Sequence, residues 1–140
     1  MPDVFLHRHR VTYAECTVGN HVYYSRYLDL LEAARGEFFR HIGAPLAELQ
    51  QQDLIFPVIE CRLRYRAPAR YDDLLAIELW IAGMQGVRLT FAYRITNAEN
   101  RLPLVEAETV HVCATCQEKP CRLPGDLAAK LQPYLRASAP

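Results

Sequence analysis

The residues of this chain best equipped for chemistry crowd into one stretch, "TVGNHVYYSRYLDLLEAAR", from Thr17 to Arg35. It reads as a tight turn feeding a helix. Such a turn is a common place to present an acid to a substrate, yet this one offers Thr17 and Asn20. Thr17 cannot be a carboxylate base, and a threonine hydroxyl is a poor nucleophile unless a neighbouring base activates it. His21 can supply that base or hold substrate, because imidazoles as a class titrate near neutrality; it can equally be a solvated turn histidine. Glu32 is the reserve general base. Glu32 and Arg35 stand three apart, so they could also simply pair, for a few tenths of a kcal/mol. A charge on an otherwise apolar helix needs a partner or a pocket.

Two other groupings compete for a function. Cys113, Cys116 and Cys121 include "CATC", the two-residue spacing of half a zinc site, but a second half is missing. No metal is therefore expected. Arg62, Arg64 and Arg66 alternate along one strand face and, with Arg88, make a basic surface that a solvated charged face would also explain. Glu15 reads as a strand-end surface charge.

Bulk properties narrow the partners. The chain has 140 residues, suited to one domain over its whole length, residues 1–140. Its sixteen basic side chains balance sixteen acidic ones, so bulk charge offers no hold on nucleic acid or on a membrane surface. No apolar run approaches the roughly 18 residues of a membrane span, and "MPDVFLHRHR" lacks a signal-peptide core. Five cysteines without an export signal point to reduced thiols and a cytoplasmic location.

The elements that must position the candidates follow from hydrophobic periodicity. Residues 4–12 are strand-like. From Tyr24 to His41 the apolar positions fall three, four or seven apart, which predicts a helix, with Gly43 and Pro45 as its stop. That helix is apolar well around its circumference, so it should lie against a sheet. Beyond it the period changes to two. Ile59, Cys61, Leu63 and Tyr65 face one way; Leu75, Ile77, Leu79 and Ile81 follow; then come Val87, Leu89, Phe91, Tyr93 and Ile95; a last strand runs from Leu104 to Ala114. Pro124 opens a short terminal helix, and the tail "RASAP" reads as frayed. Strand, long helix and then four strands in a meander make an α+β domain, a five-stranded antiparallel sheet with one helix covering its apolar face. The other face, with its arginines, glutamates and Trp80, is expected to be solvated or to form an oligomer contact.

Two motifs extend this pattern to a family. The spacing from Tyr13 to Arg35, Y-x-E followed by V-Y-Y-x-x-Y-L and E-x-A-R, resembles the opening of the small acyl-CoA thioesterases of the 4-hydroxybenzoyl-CoA type. "YRAPARYDDLL", Tyr65 to Leu75, resembles their tyrosine, proline and aspartate segment, and "VHVCATCQEKPCRLPGDL" their last strand and closing helix. The resemblance covers nearly the whole chain and implies the hotdog fold, with the five-stranded sheet wrapped around one long central helix. It also implies hydrolysis of acyl-CoA or acyl-carrier-protein thioesters by a homodimer or homotetramer with its site at the subunit interface. Coenzyme A would enter as part of the substrate, with no separate cofactor.

In that family an aspartate in the turn acts as nucleophile or general base, and an amide at the helix N-terminus polarises the thioester carbonyl. The resemblance places the amide at Tyr24 and the aspartate at Thr17, with the usual turn glycine at Asn20, a residue that tolerates positive φ. Shifting the gap by one residue puts Cys16 in the acid's place, so neither alignment restores an acid. Thioesterases of enediyne polyketide pathways are similar through a "VGN" turn and also lack the acid; they rely on a neutral turn residue and a helix arginine, which matches Arg35. Arg64, Arg66 and Arg88 are then candidates to meet the coenzyme A phosphates. The competing reading is a non-catalytic hotdog protein that binds acyl thioesters or serves as a structural subunit. A dehydratase of the same fold lacks its histidine and acid pair here.

Overall fold

The computed structural model describes residues 2–136. Strand β1 (Phe5–Arg10) is followed by a 3-10 turn (Tyr13–Glu15) and a small hairpin of β2 (Cys16–Thr17) and β3 (His21–Val22). Helix α1 (Arg26–His41) and the short α2 (Leu46–Gln51) come next. Strands β4 (Val58–Tyr65), β5 (Leu74–Gln85), β6 (Arg88–Asn97) and β7 (Pro103–Val112) complete the sheet, and α3 (Gly125–Leu131) closes the chain. Helix α1 begins two residues later than the spacing predicted, with Tyr24 and Ser25 forming the turn that enters it. It stops where expected, at Gly43 with φ +80°, a conformation glycine adopts freely.

The five-stranded sheet is antiparallel, but its order is β1-β5-β6-β7-β4. Only β5, β6 and β7 form the meander; the expectation that β4 joins it is corrected. The connection from β4 to β5 is residues 66–73, an eight-residue segment with Pro68 in it rather than a tight two-residue turn. It runs past the start of α1, where Ala69 bonds Tyr27, and joins β5 to β4, which pairs with β7 at the far edge. By contrast, Gly86 (φ +62°) turns β5 directly into β6.

Alternation decides what the sheet buries. Leu75, Ile77, Leu79, Ile81, Leu89, Phe91, Tyr93 and Ile95 all point at α1 and are buried. Tyr27, Leu30, Leu31, Ala34, Phe38 and Phe39 of the helix meet them. Phe38 and Phe39 contact Phe91 edge-on, with ring centroids 5.9 and 5.8 Å apart. Leu28 and Ala33 are exposed, so the helix is less uniformly buried than its composition suggested.

The outer sheet face carries a ladder of charge pairs, Arg62–Glu108, Arg66–Glu106 and Arg94–Glu78. Trp80 on that face is nevertheless buried, because Arg94 and Arg136 lie over its ring at 5.9 and 5.0 Å. Arg136 belongs to the segment expected to fray, yet its N–H donates to the Ile81 carbonyl at 2.8 Å. Residues 137–140 of that tail lie outside the described residues. No helix among the described residues is long and apolar enough to cross a membrane.

Candidate active site

The hairpin is built from its own turn. Gly19 and Asn20 take φ of +95° and +63°, and the Asn20 N–H closes the turn on the Thr17 carbonyl at 3.1 Å. Asn20 thus fills a position that usually calls for glycine. Its side chain also works, since Oδ1 accepts the Tyr71 N–H at 3.1 Å. The crossover segment fastens the rest. Val22 N–H donates to the Ala69 carbonyl at 2.9 Å, and the buried Tyr27 hydroxyl accepts the Ala69 N–H at 3.0 Å. The motif "YRAPARYDD" therefore acts as a brace that fixes the hairpin to the start of α1.

Thr17 pairs directly with His21 across the hairpin, so both side chains share one face, about 5 Å apart at Cβ. Both are exposed. The Thr17 hydroxyl makes only a long 3.4 Å contact with the Val18 carbonyl, which leaves it available to a water or a substrate. Tyr24 follows at the entrance to α1. Its carbonyl accepts the Tyr65 hydroxyl at 3.1 Å, while its N–H meets no acceptor among the described residues.

Glu15 is not the free surface charge expected. It accepts a bond from Thr12 N–H and lies 2.8 Å from His9 Nε2, half-buried beneath the hairpin. Burial alone would push its carboxyl up, but the His9 and Thr12 bonds outweigh it and hold the group below the usual carboxylate range. Cys16, the alternative in the acid's place, points back to the Thr12 carbonyl at 3.6 Å, and burial raises its thiol. Asp29 is exposed and tied to Arg26 at 3.3 Å.

Glu32 and Arg35 do not join this group. Arg35 lies nine residues into α1, about 14 Å along the axis at 1.5 Å per residue. Nor do the two pair with each other. Glu32 is exposed and Arg35 turns inward, where its Nη1 donates to the Tyr93 hydroxyl at 3.0 Å. Both line a cavity of about 230 Å³ walled by Phe39, Leu54, Phe56, Phe91 and His111. The Tyr93 hydroxyl lies 2.7 Å from Thr109 Oγ1, which lies 2.8 Å from His111 Nε2, and His111 Nδ1 reaches the Phe56 carbonyl at 3.0 Å. Burial, joined by the Arg35 cation and only partly opposed by the Phe56 carbonyl, pushes His111 down to about 4, so it is neutral near neutral pH. This polar file was missed from the sequence. The signal was there: Tyr93, Thr109 and His111 all occupy the inward phase of strands whose other inward residues are apolar.

The arginines are placed less favourably. Arg64 and Arg66 point outward from β4, and Arg66 is tied to Glu106 at 3.2 Å. Arg88 pairs with Val112 while Arg64 pairs with Glu106, six residues away along β7, or about 20 Å. The structure does not bring the three together. A larger groove of about 600 Å³ lies on this outer face, but paired charges line much of it. Cys113 and Cys121 hold their sulfurs 3.6 Å apart, while Cys116 turns separately to the Gln50 carbonyl.

Residues 11–131 match the Thioesterase-like superfamily. The chain belongs to that superfamily. It is 39% identical over 124 residues to the acyl-CoA thioester hydrolase YbgC of Escherichia coli, covering 88% of this chain and 92% of that protein. A 1,4-dihydroxy-2-naphthoyl-CoA thioesterase from Synechocystis superposes with a TM-score of 0.86 at 23% identity, over 93% of this chain and 96% of the other. The dynemicin thioesterase superposes with a TM-score of 0.87 at 19% identity, over 97% of this chain and all of the other. The hotdog architecture read from the motifs is the architecture of this thioesterase-like chain.

Proposed function

We propose that the chain hydrolyses acyl-CoA or acyl-carrier-protein thioesters to free acid and thiol, as a homo-oligomer whose site is completed across the β4 edge. The observation that carries this reading is the unpartnered Tyr24 N–H, presented by the braced hairpin beside Thr17 and His21 at the start of α1. A donor held there suits the oxyanion that forms when water adds to a thioester carbonyl. His21 takes the proton of that water, Thr17 and Asn20 orient it, collapse of the tetrahedral intermediate breaks the C–S bond, and the protonated His21 returns its proton to the departing thiolate to give the thiol. The similarity to the acyl-CoA thioester hydrolase YbgC and to thioesterase structures supports the same reaction.

The oligomer explains why Arg35 sits nine residues beyond the start of α1. Strand β4 is an unpaired sheet edge with Val58, Ile59 and Tyr65 exposed, a template for strand addition. One end, Tyr65, touches the helix entrance through Tyr24; the other, Val58, pairs with His111 beside the Arg35 cavity. Two β4 strands paired antiparallel about a two-fold axis set one protomer's hairpin end against its partner's cavity end. Arg35 of one protomer then faces the thioester held at the hairpin of the other, and the apolar cavity takes the acyl group. Arg64, which carries no ion pair among the described residues and adjoins Tyr65 at the hairpin end of β4, is the best placed of the three arginines to meet a coenzyme A phosphate. Coenzyme A arrives as substrate, and no other cofactor is needed. The described cysteines are free thiols, consistent with a reducing cytoplasm.

The test is thiol release, followed with a colorimetric reagent against an enzyme-only blank, across acetyl- to palmitoyl-CoA, benzoyl-CoA, β-ketoacyl-CoA and acyl-carrier protein. Turnover that disappears in Arg35→Gln and His21→Gln supports the reading. A folded oligomer that binds acyl-CoA but releases no thiol from any substrate establishes the non-catalytic alternative instead.

A further inference from the structure

The directions of the hydrogen bonds from Arg35 to Phe56 follow from what each group can do. A carbonyl only accepts, so His111 Nδ1 must carry the proton that meets Phe56. A neutral imidazole then has a bare Nε2, which accepts from the Thr109 hydroxyl. With its proton committed, Thr109 Oγ1 accepts from the Tyr93 hydroxyl, and Tyr93 turns a lone pair to the Arg35 guanidinium, which only donates. The file has two irreversible ends and a single consistent orientation. Tyr93, Thr109 and His111 are all at least 98% buried, so water does not compete for these bonds.

The consequence concerns Arg35. A buried or half-buried arginine is ordinarily anchored by a carboxylate, which also cancels its charge. Here no carboxylate among the described residues lies within ion-pair distance of Arg35; the anchor is a neutral, polarised chain of hydroxyls and an imidazole. It fixes the guanidinium while leaving its charge and its remaining donors free toward the cavity.

We propose that Tyr93, Thr109 and His111 are positioning residues that hold Arg35 as an un-neutralised cation facing the reacting thioester. This rests on the reading of Arg35 as part of a hydrolytic site. Of these four, only Arg35 meets the thioester; the other three act through it.

Two readouts test the relay, one of them independent of turnover. Nitrogen NMR of the Arg35 guanidinium, assigned by its loss in Arg35→Lys, should show restricted rotation in the wild type. Tyr93→Phe and Thr109→Val should both release it, and Thr109→Ser, which keeps the hydroxyl, should not. In steady-state assays with the preferred acyl-CoA, Tyr93→Phe and Thr109→Val should lower kcat roughly tenfold, the scale of one hydrogen bond, with KM within about twofold. Thr109→Ser should recover most of kcat. A kcat unchanged in Tyr93→Phe and Thr109→Val, when Arg35→Gln is inactive, overturns the relay and leaves the hydrolase standing. A wild type that hydrolyses nothing overturns the hydrolase, and the NMR comparison then decides whether the relay orders Arg35 at all.

Discussion

Because His111 is buried neutral, it should make the fold sensitive to acid in a way that can be calculated. In the unfolded chain a histidine titrates at its ordinary 6.5, while His111 in the folded protein titrates at about 4. The folded value is depressed, so its contribution to stability is fully present above about pH 6.5 and is lost as the pH falls toward 4. Between those limits the unfolded state takes up a proton that the folded state refuses. Linkage gives a loss of about 2 kcal/mol on going from about pH 7.5 to about pH 5, approaching about 3 kcal/mol below the folded value. Urea unfolding of the wild type and of His111→Val at both pH values isolates this group, since every other carboxyl and histidine is common to the two proteins. The wild type should lose about 2 kcal/mol more than the variant over that interval. Equal losses would refute the neutral, two-bonded imidazole and with it the single orientation of the relay. An NMR titration of the His111 ring carbon proton checks the same value directly, without unfolding.

Other outcomes follow from the same structure. Asn20→Ala places an alanine at φ +63° and removes the acceptor of the Tyr71 N–H, which should cost about 1–2 kcal/mol and lower Tm by several degrees, read by differential scanning calorimetry. Ile59→Lys alters a residue 51% exposed on the β4 edge, so thermal stability of the protomer should hold while light scattering shows monomer and thiol release collapses. Leu31→Ala empties a fully buried position between α1 and the sheet and should cost about 2–5 kcal/mol in urea unfolding. Cys113 is buried, and burial together with the Cys121 thiol pushes it up to about 12; mass spectrometry should find it unmodified by iodoacetamide near pH 8 in the folded protein.

Local grammar settled much of this protein. The three-and-four spacing of Tyr27, Leu31, Ala34 and Phe38 states that α1 is a helix with a buried stripe, and the period of two from Leu75 to Ile95 states which strand face is inside, because a side chain's direction depends only on its own backbone period. Gly19, Asn20 and Gly43 mark turns for the same reason, since positive φ is a property of the residue itself. What the sequence left open is whatever depends on distance through space. Strand β4 reads as the meander's first member, yet its partner is chosen by the crossover of residues 66–73 and the chance to cover the β7 edge, which no local pattern encodes. Glu32 and Arg35 have the spacing of an ion pair, but the sheet offers Arg35 the Tyr93 hydroxyl, and a helix arginine takes the partner that burial puts beside it. Tyr93, Thr109 and His111 are separated by up to 18 positions and become one file only when β6 and β7 lie side by side in register. The turn, the helix and their chemistry are therefore local properties of the chain, while the charge state and aim of Arg35 belong to the packed sheet.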